Sequence, residues 1–326
     1  MIDERRRGWL ALAAAAAVST SAGVLAGPVF AGVPRLPAQK TLTLFGARIR
    51  YHELGQRGRG PTLVLLHGLG SSAAGDWGQV MPQLARTHHV LAPDQLGFGN
   101  SDKPFIPYGI QTWVDFLGEF LREKKVGEFV LIGESLGGWI AAQYTLQALR
   151  GEAAGASFVL PRPSRLVLAD SAGLRDSLDE AKVDRAASAP ASAASRGAPM
   201  PGPGPSLAKQ KALLASIFHA PAFSSEDAVR RGMAWSLAKG DSHTIAAVLD
   251  NPAVMNDSLD GRLGGITVPT LVVWGQYDEL IPLSKGRRMA AEIPGARLVV
   301  VPDAGHAPMI ETPAAFLAAL GDFLQP

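Results

Sequence analysis

The chain has 326 residues, 47% of them hydrophobic and 18% charged, with a formal net charge of +2 and no cysteine. This composition excludes wholesale disorder, disulfides, thiolate metal sites and a cysteine nucleophile. With so small a net charge, no basic stripe, no zinc-spaced ligand cluster and no Walker-type glycine loop, nothing in it speaks for a nucleic-acid partner, a metal or a cofactor.

At the N-terminus, Arg5, Arg6 and Arg7 precede an apolar run from Trp9 to Val18, which continues through small residues to Ala31. A basic start, an apolar middle and small residues at A-x-A-like positions read as an export signal over residues 1–31, cleaved after Ala26 or Ala31. The stretch Arg6-Arg7-Gly8-Trp9-Leu10 resembles a twin-arginine signal, so the expected location is periplasmic or secreted. The alternative is an uncleaved anchor, the one membrane contact the sequence offers. Residues 32–40 read as a linker.

Thr41 to Leu54 predicts two short strands around a Gly46 turn. Thr62 to Leu66 is a continuous apolar run, as expected of a parallel strand buried on both faces, and ends in His67-Gly68-Leu69-Gly70. A short helix follows over Val80–Ala85, then a strand over Val90–Ala92 that leads into Pro93-Asp94. Thr112 to Lys124 has helical spacing. Phe129 to Ile132 is a strand that runs into Gly133-Glu134-Ser135-Leu136-Gly137-Gly138, and Trp139 to Leu149 is a helix. Arg165 to Leu168 is a strand ending at Asp170. Residues 186–205, dominated by Ala, Ser, Pro and Gly, read as a mobile loop, and 206–259 as helical. Strands at Thr270–Val273 and Leu298–Val301 precede Tyr277-Asp278 and Gly305-His306, and Thr312–Leu324 closes the chain as a helix. Strands alternating with helices imply a mostly parallel sheet covered on both faces, whose sites collect beyond the carboxyl ends of its strands. Every polar motif named here lies at such an end.

Gly133-x-Ser135-x-Gly137 stands between a strand and a helix, where glycines relieve a turn too tight for bulky neighbours and leave the serine Oγ projecting. Ser135 is therefore the candidate nucleophile, against the reading of a plain glycine-rich turn. A serine hydroxyl needs a base. His306, in a loop after the last strand, is the candidate, against a surface loop histidine. His88 and His89 read as exposed loop residues, His52 as part of a hairpin, His219 and His243 as solvent-facing with substrate contact as the alternative, and His67 as shaping its own loop. Asp278 gives the order Ser135, Asp278, His306 and is the preferred orienting acid. Asp170 is a rival, and Asp94 reads as bracing its loop. The backbone N–H groups of Leu69 and Leu136 are the candidate oxyanion donors.

The segments LVLLHGLG, APDQLGFGNSDKP, VLIGESLGGW, LVVWGQYDELIP and VPDAGHAPMIETP, in this order, resemble the α/β-hydrolase superfamily. In look they are most similar to the group holding meta-cleavage-product C–C hydrolases and related esterases. The resemblance implies a hydrolase core over 41–170 and 263–326 and a helical cap inserted late in the sheet, over 171–262, around the loop 186–205. It also implies a cap arginine, Arg230 or Arg231, for a substrate carboxylate. Ala307 stands where that group commonly carries a tryptophan, and Ser135 argues against the aspartate-nucleophile dehalogenases and epoxide hydrolases. Gly68, Phe98, Trp139, Trp235 and Met309 are candidate pocket lining, with core packing as the alternative role. The expected activity is hydrolysis of a carboxylic ester or related acyl bond of a small, largely apolar molecule through an acyl-enzyme. C–C hydrolysis of a dienoic keto acid is the second enzymatic reading. A non-catalytic binding member of the fold is the third, and the intact Ser, Asp and His count against it.

Overall fold

The computed structural model describes residues 35–58, 60–151, 153–154, 158–175 and 206–325. The expected export signal or anchor and the loop 186–205 lie outside the described residues. Within them, no helix is long and apolar enough to cross a membrane.

An antiparallel hairpin opens the fold. Strands β1 (Lys40–Leu44) and β2 (Ala47–Leu54) are joined by Phe45 and Gly46, whose φ angles of 50° and 84° turn the chain in two residues. Six parallel strands follow in the main sheet: β3 (Thr62–Leu66), β4 (Val90–Pro93), β5 (Phe129–Glu134), β8 (Arg165–Ala169), β9 (Thr270–Gly275) and β10 (Arg297–Val301). The spatial order is β1-β2-β4-β3-β5-β8-β9-β10, and β2 meets β4 antiparallel. Residues Ala153–Ala154 (β6) and Phe158–Val159 (β7) form a small separate hairpin.

Between the strands run helices α1 (Ala73–Trp77), α2 (Met81–Leu84), α3 (Ile110–Glu123) and α4 (Leu136–Arg150). Helices α5 (Leu207–Ile217), α6 (Glu226–Lys239) and α7 (Ser242–Leu249) lie in the insertion between β8 and β9. The chain ends with α8 (Leu283–Glu292), α9 (Pro308–Glu311) and α10 (Pro313–Leu320). The C-terminal helix expected over Thr312–Leu324 runs over Pro313–Leu320, with Pro313 at its first position, and gives way at Gly321 (φ 10°, ψ −114°) to a 3₁₀ turn over Gly321–Leu324.

Two apolar layers sandwich the sheet. Val64, Leu66, Leu131, Leu166 and Val272 face one layer, with α3 and α4; Leu63, Leu65, Val130, Val167 and Leu271 face the other, with α1 and α10. Adjacent residues on each strand thus point to opposite, equally dry sides, which is why these strands read as unbroken apolar runs. Helix α4 is buried nearly all round, so it forms the centre of its layer rather than its surface. The residues just before β1 are docked: Leu36 packs on the second layer, and Gln39 donates to Asp94 Oδ2 at 2.9 Å.

Candidate active site

Sheet order and strand direction bring the carboxyl ends of β3, β5, β8, β9 and β10 together, and the chain after each leads into a candidate site residue. From Phe129 to Ala148 every residue is buried except Ser135, which is half-exposed. Ser135 has φ 50° and ψ −116°, a conformation that costs a residue with a side chain about 1–3 kcal/mol. Its backbone is held from both sides: its N–H donates to Ala169 O at 3.0 Å, and its carbonyl accepts from Trp139 and Ala172. The flanking glycines are sterically required. A Cβ on Gly133 would lie 2.2 Å from Gly137 O, and one on Gly137 would lie 2.3 Å from Leu66 O.

His306 is almost fully buried and joins Asp278 through Nδ1 to Oδ2 at 2.8 Å. The other oxygen of Asp278 accepts from the N–H groups of Leu280, at 2.9 Å, and Ile281, at 2.8 Å. Three donors converge on this carboxylate, so it is an acceptor throughout and fixes the proton of the neutral imidazole on Nδ1. The lone pair of Nε2 is then available as a base, and Nε2 makes no hydrogen bond.

Asp170 sits behind this pair rather than on the histidine. Its Oδ1 accepts from Gly275 N at 2.7 Å, and its nearest oxygen lies within 4.8 Å of ligand atoms on both Asp278 and His306. Burial first, and then the neighbouring Asp278, pushes the Asp170 carboxyl well above the usual carboxylate range. The protonated form is thereby favoured, and in that form the otherwise unpartnered Oδ2 is the oxygen free to donate toward Asp278.

Helix α4 starts directly after the serine, so the Leu136 N–H lies in the first turn, where no intrahelical acceptor exists, and the helix dipole favours negative charge. Leu69 is half-buried in the loop after β3. That loop is pinned at its start by Gly68 N donating to Asp76 Oδ2 at 2.8 Å. His67 accepts from Gln95 N through Nε2 at 2.9 Å, so its Nδ1 carries the proton and donates to Gly68 O at 2.8 Å. His67 is thus a brace between two loops. Asp94 is another: it accepts from Ala73 N and Asn100 N, both at 2.8 Å.

The helical insertion touches this end of the sheet directly. His306 N donates to Ile217 O, at the end of α5, at 2.7 Å. Glu311 accepts from Gly305 N at 2.7 Å and from Ala220 N, tying the histidine loop to the chain just after α5. His219 stacks on Tyr277, beside Asp278, with ring centroids 4.0 Å apart. Over the loop after β3, a Cβ on Gly70 would lie 3.1 Å from Ile245 of α7.

The remaining candidates separate by position. Phe98 is stacked on Trp113 and meets His67 edge-on; Trp139 donates to Asp257 O at 2.9 Å; Met309 belongs to the second apolar layer. All three are fully buried and have the contacts of core side chains. Trp235 lies under Lys239, which reaches Asn100. Gly68 lies against Glu134: a Cβ there would fall 2.2 Å from Glu134 Oε2. Arg230 is 62% exposed and pairs with Glu226, whereas Arg231 is only 15% exposed and pairs with Asp227. The exposure expected of His88 and His89 is corrected: both are buried, His88 reaching Leu324 O and His89 reaching Glu53 at 3.0 Å. Strand β2 and the C-terminal 3₁₀ turn cover this segment before β4, so two polar rings there could be sheltered only with partners.

Two buried acids beside the candidate site escaped the sequence reading. Glu134 and Asp76 are both buried, and their carboxyls are within hydrogen-bond reach of each other. Glu134 Oε1 also stands 3.4 Å from His306 Nε2. The only sequence signal for Glu134 was an ionisable residue inside the serine motif, on a strand otherwise apolar.

A serine at a strained strand–helix turn, a carboxylate-oriented histidine and helix-end N–H groups, all at the carboxyl edge of one parallel sheet, define a class. The chain belongs to the α/β-hydrolase family: the family model described as alpha/beta hydrolase fold matches residues 61–313. Among its relatives, 2-hydroxymuconate semialdehyde hydrolase of Pseudomonas sp. (strain CF600) is 31% identical over 289 residues, covering 86% of this chain and 91% of that protein. Two solved structures are similar as well. One is a membrane phospholipase A, a bacterial virulence factor, with a TM-score of 0.71 and 25% identity, covering 97% of this chain and 96% of that one. The other is Est816, an N-acyl homoserine lactone degrading enzyme, with a TM-score of 0.69 and 26% identity, covering 87% of this chain and 100% of that one.

Proposed function

We propose that this serine hydrolase cleaves a carboxylic ester or related acyl bond of a small, largely apolar substrate through an acyl-enzyme. The observation that carries the reading is the lone half-exposed serine of a buried strand–helix unit, set at the sheet edge where His306 is bound to Asp278. Ser135 Oγ attacks the carbonyl carbon while His306 Nε2 takes its proton. The tetrahedral oxyanion receives the Leu69 and Leu136 N–H groups. The proton then passes from His306 to the leaving oxygen, and water repeats the sequence to release the acid. Asp278 holds the imidazole in its tautomer and stabilises its charged form. The insertion 171–262 acts as a cap over the acyl pocket, its α5 end gripping the histidine loop. The likeness to an enzyme that degrades N-acyl homoserine lactones and to a phospholipase A supports an acyl substrate.

A second reading, C–C hydrolysis of a dienoic keto acid, is favoured by the 2-hydroxymuconate semialdehyde hydrolase relative and by the inward setting of Arg231. In that case Arg231, rather than the outward Arg230, binds the substrate carboxylate. Turnover of short- and long-chain p-nitrophenyl esters beside a meta-cleavage product separates the two. The acyl reading expects ester turnover that survives Arg231→Ala. Turnover of the dienoate alone, lost in Arg231→Ala, would replace it with the second reading.

For location, the basic-then-apolar N-terminus supports export with cleavage after Ala26 or Ala31. The alternative is an anchor retained on the mature chain. The intact mass of the mature protein distinguishes them.

A further inference from the structure

We propose that Glu134 is a second acceptor for the histidine: its Oε1, 3.4 Å from His306 Nε2, receives the Nε2–H that appears when the imidazole takes the serine proton. This rests on the serine-hydrolase reading and adds a residue to its machinery.

The geometry assigns different tasks to the two oxygens of this carboxyl. Oε2 lies against Gly68, the glycine whose N–H is held by Asp76 Oδ2. Oε1 faces the histidine. Two buried carboxyls within hydrogen-bond reach share a proton rather than carry two charges. Asp76 already accepts from Gly68 N and from the Ser71 hydroxyl, so it is the acceptor of the pair and the shared proton belongs to Glu134. Burial, reinforced by Asp76, Asp170 and Asp278, accordingly pushes the Glu134 carboxyl far above its ordinary value. With that proton directed to Asp76, Oε1 is left as a neutral, carbonyl-like oxygen.

Such an oxygen does little for the resting enzyme. Neutral His306 presents a lone pair at Nε2, which Oε1 cannot bond. Once Ser135 gives up its proton, Nε2 becomes a donor and the ring becomes cationic. Oε1 then gains an attraction that was absent before, which is the kind of interaction that accelerates a step rather than tightening the ground state. At 3.4 Å the contact is long for a hydrogen bond, so it supports the charged ring without holding the proton back from the leaving oxygen. The charged and titratable groups that face the ring are Asp278 at Nδ1, Asp170 behind Asp278, and Glu134 at Nε2 with Asp76 behind it.

Glutamine is the discriminating replacement. In Glu134→Gln the amide NH₂ can donate to Asp76 and the amide oxygen can face His306, reproducing the protonated acid. Methionine has the length but no acceptor. The experiment is the pH dependence of kcat/KM for a p-nitrophenyl ester, per active site counted by fluorophosphonate titration, for wild type, Glu134→Gln, Glu134→Met and Glu134→Ala. Expected is a loss of roughly tenfold in Glu134→Met and Glu134→Ala. Their acid limb should move to lower pH by about one unit, because the charged ring has lost its support. Glu134→Gln should stay within about threefold of wild type, with the acid limb in place. Wild-type rates and limb in Glu134→Met would overturn the proposal, and so would a Glu134→Gln as impaired as Glu134→Met, since a charge rather than a neutral acceptor would then be at work. If the apolar variants yield no titratable sites, a displaced acid limb in Glu134→Gln alone overturns it, and an unmoved limb supports it. Ser135→Ala runs in parallel: ester turnover surviving there would defeat the serine-hydrolase reading itself, whatever Glu134 does.

Discussion

Two sets of acids sit at opposite ends of the same sheet and are treated in opposite ways. Glu53, on β2 beside the amino end of β4, is ringed by donors: Lys40 and Lys124, each at 2.9 Å, and His89 at 3.0 Å. Although burial works against ionisation, these partners hold its carboxyl down at about 2. At the carboxyl end, none of Asp76, Glu134, Asp170 and Asp278 pairs with a lysine or arginine among the described residues, and Glu134 and Asp170 are pushed up instead. The first arrangement is a structural clamp between β1, β2, the start of β4 and the end of α3. The second keeps protons and unspent acceptors around one histidine. What separates a structural acid from a functional one here is the company it keeps, since both are sheltered from water.

The largest expected effect breaks the functional set. Asp278→Asn leaves the packing intact but donates to His306 where the carboxylate accepted, so kcat should fall on the order of 10⁴-fold with little change in melting temperature. An Asp278→Asn enzyme within tenfold of wild type would mean that Asp170 takes over as the orienting acid. Asp170→Asn is the control on that point. A protonated Asp170 already offers a donor to Asp278, as an asparagine would, so the loss measured in kcat should stay below about threefold.

Glu53→Gln should do the reverse, leaving ester turnover as it was and lowering stability. The full displacement of its carboxyl would correspond to about 3 kcal/mol. Water still reaches its partners, Lys40 above all, with 57% of its side chain exposed, and screening reduces this to ~1 kcal/mol, or roughly 2 °C by calorimetry. A variant that loses activity without losing stability would erase the distinction between the two ends.

The smallest effect is in the pH dependence of stability, and it has opposite signs at the two ends. Glu53 ionises more readily folded than unfolded, so its contribution is present above pH 4.5 and is lost as pH falls toward 2. Glu134 and Asp170 hold protons in the folded state that the unfolded chain releases above about pH 4. There the folded state binds more protons, so their contribution declines as pH rises. Melting temperatures between pH 4.5 and 8 should therefore fall less steeply in Asp170→Asn than in wild type. An equal slope would place the charge, not the proton, on Asp170.

The sheet and the candidate reacting groups were legible in the sequence for one physical reason. Parallel strands buried on both faces must be apolar without interruption, so a polar residue at the end of such a run announces a site, as Ser135, Asp278 and His306 do. What resisted reading depended on contacts distant in sequence. Glu134 adjoins the nucleophile, but only folding brings it against Gly68 and His306. Asp76 lies in α1, a one-turn helix hidden in Ser72-Ala73-Ala74-Gly75-Asp76-Trp77, where its N-cap serine was the available signal. His88 and His89 looked like loop residues because nothing local shows that the C-terminal Leu324 and the β2 residue Glu53 cover them. The choice between Asp278 and Asp170 likewise needed the 2.8 Å bond to His306, since both end a strand.

The most direct measurement is covalent labelling of the purified protein with a fluorophosphonate, followed by intact mass and peptide mapping, on wild type and Ser135→Ala. One adduct per chain is expected, mapped to Ser135, abolished in Ser135→Ala and slowed in Asp278→Asn. An adduct on another residue, or equal labelling of wild type and Ser135→Ala, would contradict it.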